Sequence, residues 1–373
     1  GLVESQLLAD NPPMFIRLLP VLFFGFASLA EEGFKPLFNG KNLDGWRNIN
    51  CAPNTWSIKD GMIHCTGKPI GELRTLRMYE NFIMEVEWRH LKPRGNAGIF
   101  VWADAYTAKG QPFHRGVEVQ VLENAYGNTR GYTTHGDIFP IHGAKMTPIN
   151  GRGGSRAFPT ENRSKPSPQW NHYRIVCNNG GISLAVNGKV VTRGKASWPR
   201  KGYICLESEG SPVQFRNLII KELPSTNPKP EEIAKAEEGF HTLYTGIDLT
   251  GWKADKAGTW TSNDWRLTAK GGTPLRSVPK FKEYVMFADF RAAGQTAPFH
   301  LPNVGDIGKL KGINKGWNRI RVTRRLGQTK FELNGKVVFE EAIRESGPLK
   351  AGVFVLTPNV PTQFANIFVK ELK

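Results

Sequence analysis

Cysteine is scarce in this chain: four in 373 residues, Cys51, Cys65, Cys177 and Cys205, none in Cys-x-x-Cys spacing. That excludes zinc-ribbon and thioredoxin-type chemistry. Long amphipathic helical patterns are missing from both halves, which removes helix bundles and doubly wound α/β folds. Acidic residues are outnumbered, 33 against 50 Lys and Arg, for a formal charge of +17. The basic residues are dispersed, however, and no RNA- or DNA-binding motif accompanies them, so nucleic acid is excluded as a partner. Such a surface suits anionic glycans or simple solubility. The composition of disordered chains is lacking too, with 39% hydrophobic and 22% charged residues, and the length suits two globular domains. No apolar run reaches membrane-spanning length. The run after Met14 carries one charge, Arg17, and closes on Ser28-Leu29-Ala30. It reads as a signal peptide cleaved after Ala30, so residues 1–30 are expected to be leader and signal, with no stable membrane span afterwards. Export implies the periplasm, the cell surface or the outside medium. There Cys177 and Cys205 would be the more attractive disulfide, with buried free thiols as the alternative.

What is present repeats. Phe34-x-x-Leu37-Phe38-x-Gly40-x-x-Leu43-x-Gly45-Trp46 returns as Phe240-x-x-Leu243-Tyr244-x-Gly246-x-x-Leu249-x-Gly251-Trp252. Trp170-Asn171-x-x-Arg174-Ile175 followed by Asn187-Gly188-Lys189-Val190-Val191 returns as Trp317-Asn318-x-x-Arg321-Val322 followed by Asn334-Gly335-Lys336-Val337-Val338. Residues 34–223 and 240–373 are therefore expected to be two copies of one fold, joined by the Pro-rich linker 224–239. Short period-two runs such as 82–89, 173–177 and 182–186, punctuated by Asn-Gly turns, predict an all-β fold of two antiparallel sandwiches or jelly rolls. The second copy lacks roughly sixty residues between the Ile99 strand and Trp170, and loops that a scaffold can lose are where function resides. Trp46, Trp56, Trp88 and Trp170 read as core, whereas Trp102, with Tyr106 and Tyr126 nearby, reads as a stacking surface for a sugar.

The extra segment contains Gly116-Val117-Glu118-Val119-Gln120-Val121-Leu122. Its alternation predicts a strand with an apolar face and a polar face, on which Glu118 and Gln120 stand about 7 Å apart. Such a face is either wet or a ligand floor. Downstream, His135, Asp137 and His142 lie on a Gly-rich loop. They offer ligands for a divalent ion, although His-x-Asp-x-x-x-x-His matches no strict metal signature. Glu207 and Glu209 alternate at a strand end, and Arg94, Asp104 and His114 are lone polar residues in loops. The run from Arg152 to Lys165 reads as a solvated loop.

Taken together, Phe38-Asn39-Gly40-Lys41-Asn42-Leu43-Asp44-Gly45-Trp46, the Gly116 to Leu122 strand, Trp170-Asn171-x-Tyr173 and the segment from Gly202 to Asn217 resemble the 3-keto-disaccharide hydrolase family. The resemblance covers the first copy nearly throughout and the second only at its two ends. It implies a concanavalin-like sandwich and an exported bacterial protein acting on sugars oxidised at carbon 3. It also points to Glu118, Gln120, Glu207 and Glu209. Many members carry Gln-Asp-His-Gly-like residues where this chain has Glu207-Ser208-Glu209-Gly210, so the resemblance carries over no His-based role at this turn. The chemistry of such sugars needs a base, an acid and an electrophile. Glu118, Glu207, Glu209 and His135 are the expected catalytic residues, and Gln120, Trp102, His114 and Arg94 the expected substrate contacts. Asp137 and His142 are the expected metal ligands, should an ion be used. An ordinary glycosidase would instead oppose Glu118 to Glu207 or Glu209. A non-catalytic glycan-binding module is the alternative function.

Overall fold

The computed structural model describes residues 32–126, 135–342, 350–358 and 361–373. The signal-peptide reading of residues 1–30 lies outside them. The alternating runs do form strands. Phe82–His90 buries every second side chain, with Phe82, Met84, Val86 and Trp88 no more than 1% exposed. The Asn187-Gly188 and Asn334-Gly335 turns place both residues at positive φ. That is what a two-residue type I′ hairpin demands and what Asn-Gly tolerates.

Among the described residues the first sandwich pairs a nine-stranded with a six-stranded antiparallel sheet, and the second an eight-stranded with a five-stranded one. In the first, Leu73, Ile99, Val101, Val117, Val119, Val121 and Leu206 of the six-stranded sheet meet Met84, Val86, Tyr173, Ile175, Leu184 and Phe215 of the other. Each such side chain contributes about 1.5–3 kcal/mol by leaving water. The repeated motif has one structural job in both copies: the Trp46 indole N–H donates to the Leu37 carbonyl at 3.0 Å, and Trp252 to Leu243 at 2.8 Å.

Two expectations are corrected here. Trp170 is half-buried rather than core. It lies just before the Asn171–Asn178 strand, an interior strand of the nine-stranded sheet, with the guanidinium groups of Arg89 and Arg216 over its ring at 4.5 and 3.9 Å from the centroid. Cys177 and Cys205 are not bonded; all four cysteines are free and buried. Cys177 belongs to the nine-stranded sheet and Cys205 to the six-stranded one.

The segment 104–115, which the second copy lacks, ties the sandwiches together. Asp289, fully buried, accepts from the Gly110 backbone N–H at 2.8 Å, from Asn366 at 2.7 Å and from Arg319 at 2.6 Å. Arg319 also donates to the Thr107 carbonyl at 3.0 Å. Beside this network Tyr106 packs edge-on against Phe240, Phe287 and Phe368. Among the described residues no helix is long and apolar enough to cross a membrane.

Candidate active site

The six-stranded sheet runs in the order Trp46–Ile49, Gly71–Thr75, Tyr203–Ser208, Asn96–Ala103, Gly116–Leu122, Ile138–Ile141. With Val117, Val119 and Val121 turned into the core, Glu118 and Gln120 take the other face. They are nonetheless only 6% and 3% exposed, so this face is not a solvated one. Register brings the acids together. Glu118 pairs with Phe100 and Gln120 with Gly98; on the other side of that strand Leu206 pairs with Ile99, which sets Glu207 beside Gly98. A Cβ added at Gly98 would lie 2.8 Å from Glu118 Oε1 and 2.9 Å from Glu207 Oε2. The two oxygens are therefore at most 2.8 + 2.9 = 5.7 Å apart, and only glycine leaves room for them.

Glu209, partly exposed, completes the group. Asn96 Nδ2 donates to it, while Gln120 Nε2 donates to Asn96 Oδ1 at 2.7 Å and to the Ala97 carbonyl at 3.0 Å. Gln120 thus aims the amide that holds Glu209. Asp137 pairs with Arg156 at 3.0 Å, and that guanidinium lies 3.4 Å from the Phe139 ring centroid.

Burial dominates the electrostatics. It pushes the Glu118 carboxyl well above the usual carboxylate range, the charge of Glu209 adds to this, and Arg156 opposes it. Glu207 is raised in the same way, by burial and then by Glu209 and Glu118. Glu209 is pushed up to about 7 by burial, moderated by its hydrogen bond to Glu207. Neutral Glu207 therefore shares its proton with the acid that ionises first. Glu123 shows that burial alone does not make such a site. Its side chain is little exposed but less deeply desolvated than Glu118 or Glu207, and backbone N–H groups of Arg94, Ala125 and Ser167 donate to it at 2.7–2.9 Å; these bonds outweigh desolvation and lower it. A carboxylate held by three N–H donors is structural; two carboxyls crowded over a glycine with a third bonded to one of them are poised to move protons.

The other expected residues divide. His135 is buried close by, its Nδ1 against the Leu122 carbonyl at 3.1 Å. Arg94 is exposed at the turn after Phe82–His90, at φ 62°, so that its backbone N–H reaches Glu123. Trp102 is no stacking surface: at φ 53° in an irregular stretch of its strand it turns into the core, is 0% exposed, and its indole N–H donates to the Glu80 carbonyl at 2.7 Å. The metal-ligand expectation also fails. Asp137 is engaged by Arg156, while His142 lines a hollow of about 440 Å³ between the sandwiches with Asp104, Tyr106 and Arg115. His114 lies under segment 104–115, against Glu72 and Cys205. Sequence reasoning missed Asn96, Gly98 and Arg156. A lone glycine in a strand pattern is the signal that marks Gly98, because it flags a close approach; Arg156 hides in a basic run.

No curated protein sequence matches the chain. Among solved structures, two candidate glycosyl hydrolases of Parabacteroides distasonis align at 22% and 26% identity, over 52% and 51% of this chain and 95% and 99% of theirs, with TM-scores of 0.41 and 0.40. A carbohydrate-binding module of Bacillus subtilis aligns at 11% identity, over 48% of this chain and 96% of its own, with a TM-score of 0.35. The family model of the 3-keto-alpha-glucoside-1,2-lyase-like domain matches residues 33–221, the whole first sandwich, and the chain belongs to that family.

Proposed function

We propose that this protein is an exported enzyme that cleaves the glycosidic bond of 3-keto-glycosides, with its site at Glu118, Glu207 and Glu209. The observation that carries the reading is the convergence of three raised carboxyls, Glu118 and Glu207 over Gly98 and Glu209 hydrogen-bonded to Glu207. The Glu118 and Glu207 oxygens, at most 2.8 + 2.9 = 5.7 Å apart, are closer than the roughly 6.5–9.5 Å of an inverting glycosidase. A retaining mechanism across this pair needs one of them ionised as nucleophile, which burial opposes at both.

Elimination uses what is there. A ketone at carbon 3 acidifies the carbon 2 proton. Glu209, ionised above about pH 7, removes that proton. The neutral Glu118 carboxyl donates to the carbon 3 oxygen as enolate charge grows on it. The carbon 1–oxygen bond breaks, a carbon 1–carbon 2 double bond forms, and Glu207 gives its proton to the departing oxygen. Water can then add across the double bond. Each group is the type its step requires, and the protons balance between Glu209 and Glu207.

The test is to incubate the full chain with a 3-keto-disaccharide and follow the unsaturated ketone by absorbance and the released sugar by mass. Turnover in the native chain that falls at least about 100-fold in Glu209→Gln supports the reading. A chain that binds the sugar and never turns it over is instead a glycan-binding module. Export belongs to the same proposal: N-terminal sequencing of the secreted protein should begin at Glu31.

A further inference from the structure

On the same face of the six-stranded sheet, spanning the strand of Glu207 and its neighbour Gly71–Thr75, lies a second cluster that the reaction above does not use. Glu72 is the register partner of Glu207, and Cys205 that of Arg74 and Phe100. His114 comes down onto both from segment 104–115. All three are 0% exposed, and one ligand atom from each lies within 4.8 Å of the others. Cys205 Sγ is 4.0 Å from His114 Nδ1, and Glu72 Oε2 is in contact with the same nitrogen.

The hydrogen bonds make this arrangement incomplete. His114 Nε2 donates to the Ala105 carbonyl at 3.2 Å, which fixes the tautomer and leaves Nδ1 as a lone pair. A carboxylate also has only lone pairs to offer. Two acceptors thus face each other in a dry site, and neither Glu72 oxygen has a hydrogen-bond partner. Arg74, the neighbouring cation, is turned elsewhere: its Nη1 donates to the Ala105 carbonyl at 2.8 Å and its Nη2 pairs with Glu237, while its buried Nε has no hydrogen-bond partner and makes no bond to Glu72. A cation between Nδ1, the carboxylate and the sulfur is what would satisfy all three.

We propose that Glu72, His114 and Cys205 bind a zinc-class divalent cation. The donor set of one imidazole nitrogen, one carboxylate and one thiolate is the one zinc takes, at bonds of about 2.0–2.3 Å. The Ala105 carbonyl on the far ring nitrogen is the customary support of a ligating imidazole. Charge also balances, since carboxylate plus thiolate neutralise a 2+ ion with no net charge buried. Binding would clamp segment 104–115, and with it the second sandwich, onto the sheet beside Glu207. The second copy has no such set: register places Pro274 where Glu72 stands and Val355 where Cys205 stands, and the histidine-bearing segment is missing.

The experiment measures metal in the full chain, expressed with zinc in the medium and dialysed without chelator. We expect about one equivalent per chain, falling below about 0.1 in Cys205→Ser. As a readout independent of whether that variant folds, the native chain stripped and reloaded with cobalt should show a thiolate-to-metal absorption band in the near ultraviolet. A native chain that purifies without zinc and shows no such band overturns the proposal; a shared proton between Glu72 and His114 then holds the cluster. Neither readout depends on sugar turnover.

Discussion

The two sandwiches are the same frame with opposite treatments of one sheet face. In the first, the face of the six-stranded sheet turned away from the core carries Glu72, Arg74, Cys205, Glu207, Glu118 and Gln120, and all are buried because segment 104–115 and the linker fold back over part of it. In the second, register puts His300 where Phe100 stands and Asp306 where Glu118 stands. Those two pair at 2.9 Å in the open, with side chains 47% and 76% exposed. One position in one fold is thus a desolvated acid in the first copy and a surface ion pair in the second. Burial, not the carboxylate itself, makes the difference, since an exposed pair contributes about 0–1 kcal/mol and perturbs little.

Paired substitutions can break or sharpen this contrast. The largest effect should come from Glu118→Ala, expected to lower turnover of a 3-keto-disaccharide by about 100- to 10,000-fold, against no change for Asp306→Ala in the same assay. Next comes Asp289→Ala, which leaves the Arg319 guanidinium facing segment 104–115 without its partner. A loss of about 3–5 kcal/mol is expected by urea denaturation; a loss under about 1 kcal/mol would mean that the sandwiches hold together without this network.

Gly98→Ala should cost about 1–3 kcal/mol, since its methyl group meets both carboxyls. Gly272→Ala, with nothing within 4 Å of the added carbon, should stay within about 0.5 kcal/mol. Equal melting shifts in the two would remove the argument for a crowded acid pair.

The last effect is one of pH. Glu209 binds its proton more tightly folded, at about 7, than at the ordinary value of 4.5. The folded chain then holds more protons than the unfolded one between these values, and stability falls as pH rises. Its contribution is complete below about pH 4.5 and lost on passing pH 7, with a slope of up to about 1.4 kcal/mol per pH unit. Glu209→Gln should flatten that part of the stability profile in thermal melts from pH 5 to 8; a profile unchanged by this substitution would remove Glu209 as its source.

Local pattern carried much of this. Val117, Val119 and Val121 announced a strand because side-chain alternation is written in adjacent residues, and the Asn-Gly turns announced hairpins because few other pairs accept both dihedrals. Trp102 misled for a physical reason. As an aromatic without a counterpart in the second copy it looked like a sugar platform, but one residue at positive φ reverses which way a strand side chain points, and sequence does not display that. Trp170 misled in the other direction: repetition suggested core, whereas it is half-buried at a strand end under two arginines. His135, Asp137 and His142 are near in sequence and yet face different surroundings. Glu72 and Cys205 are far apart in sequence and meet across neighbouring strands.

The sequence by itself determined the all-β class, the doubling of the fold and the strand that bears Glu118 and Gln120, because these follow from periodicity and internal repetition. Only the tertiary structure decided that Glu118 and Glu207 meet over Gly98 with Glu209 beside them, and that Glu72, His114 and Cys205 form a second cluster. Strand order and register set which distant residues become neighbours, and exclusion of water by segment 104–115 and the packed sheets sets what their charges are worth.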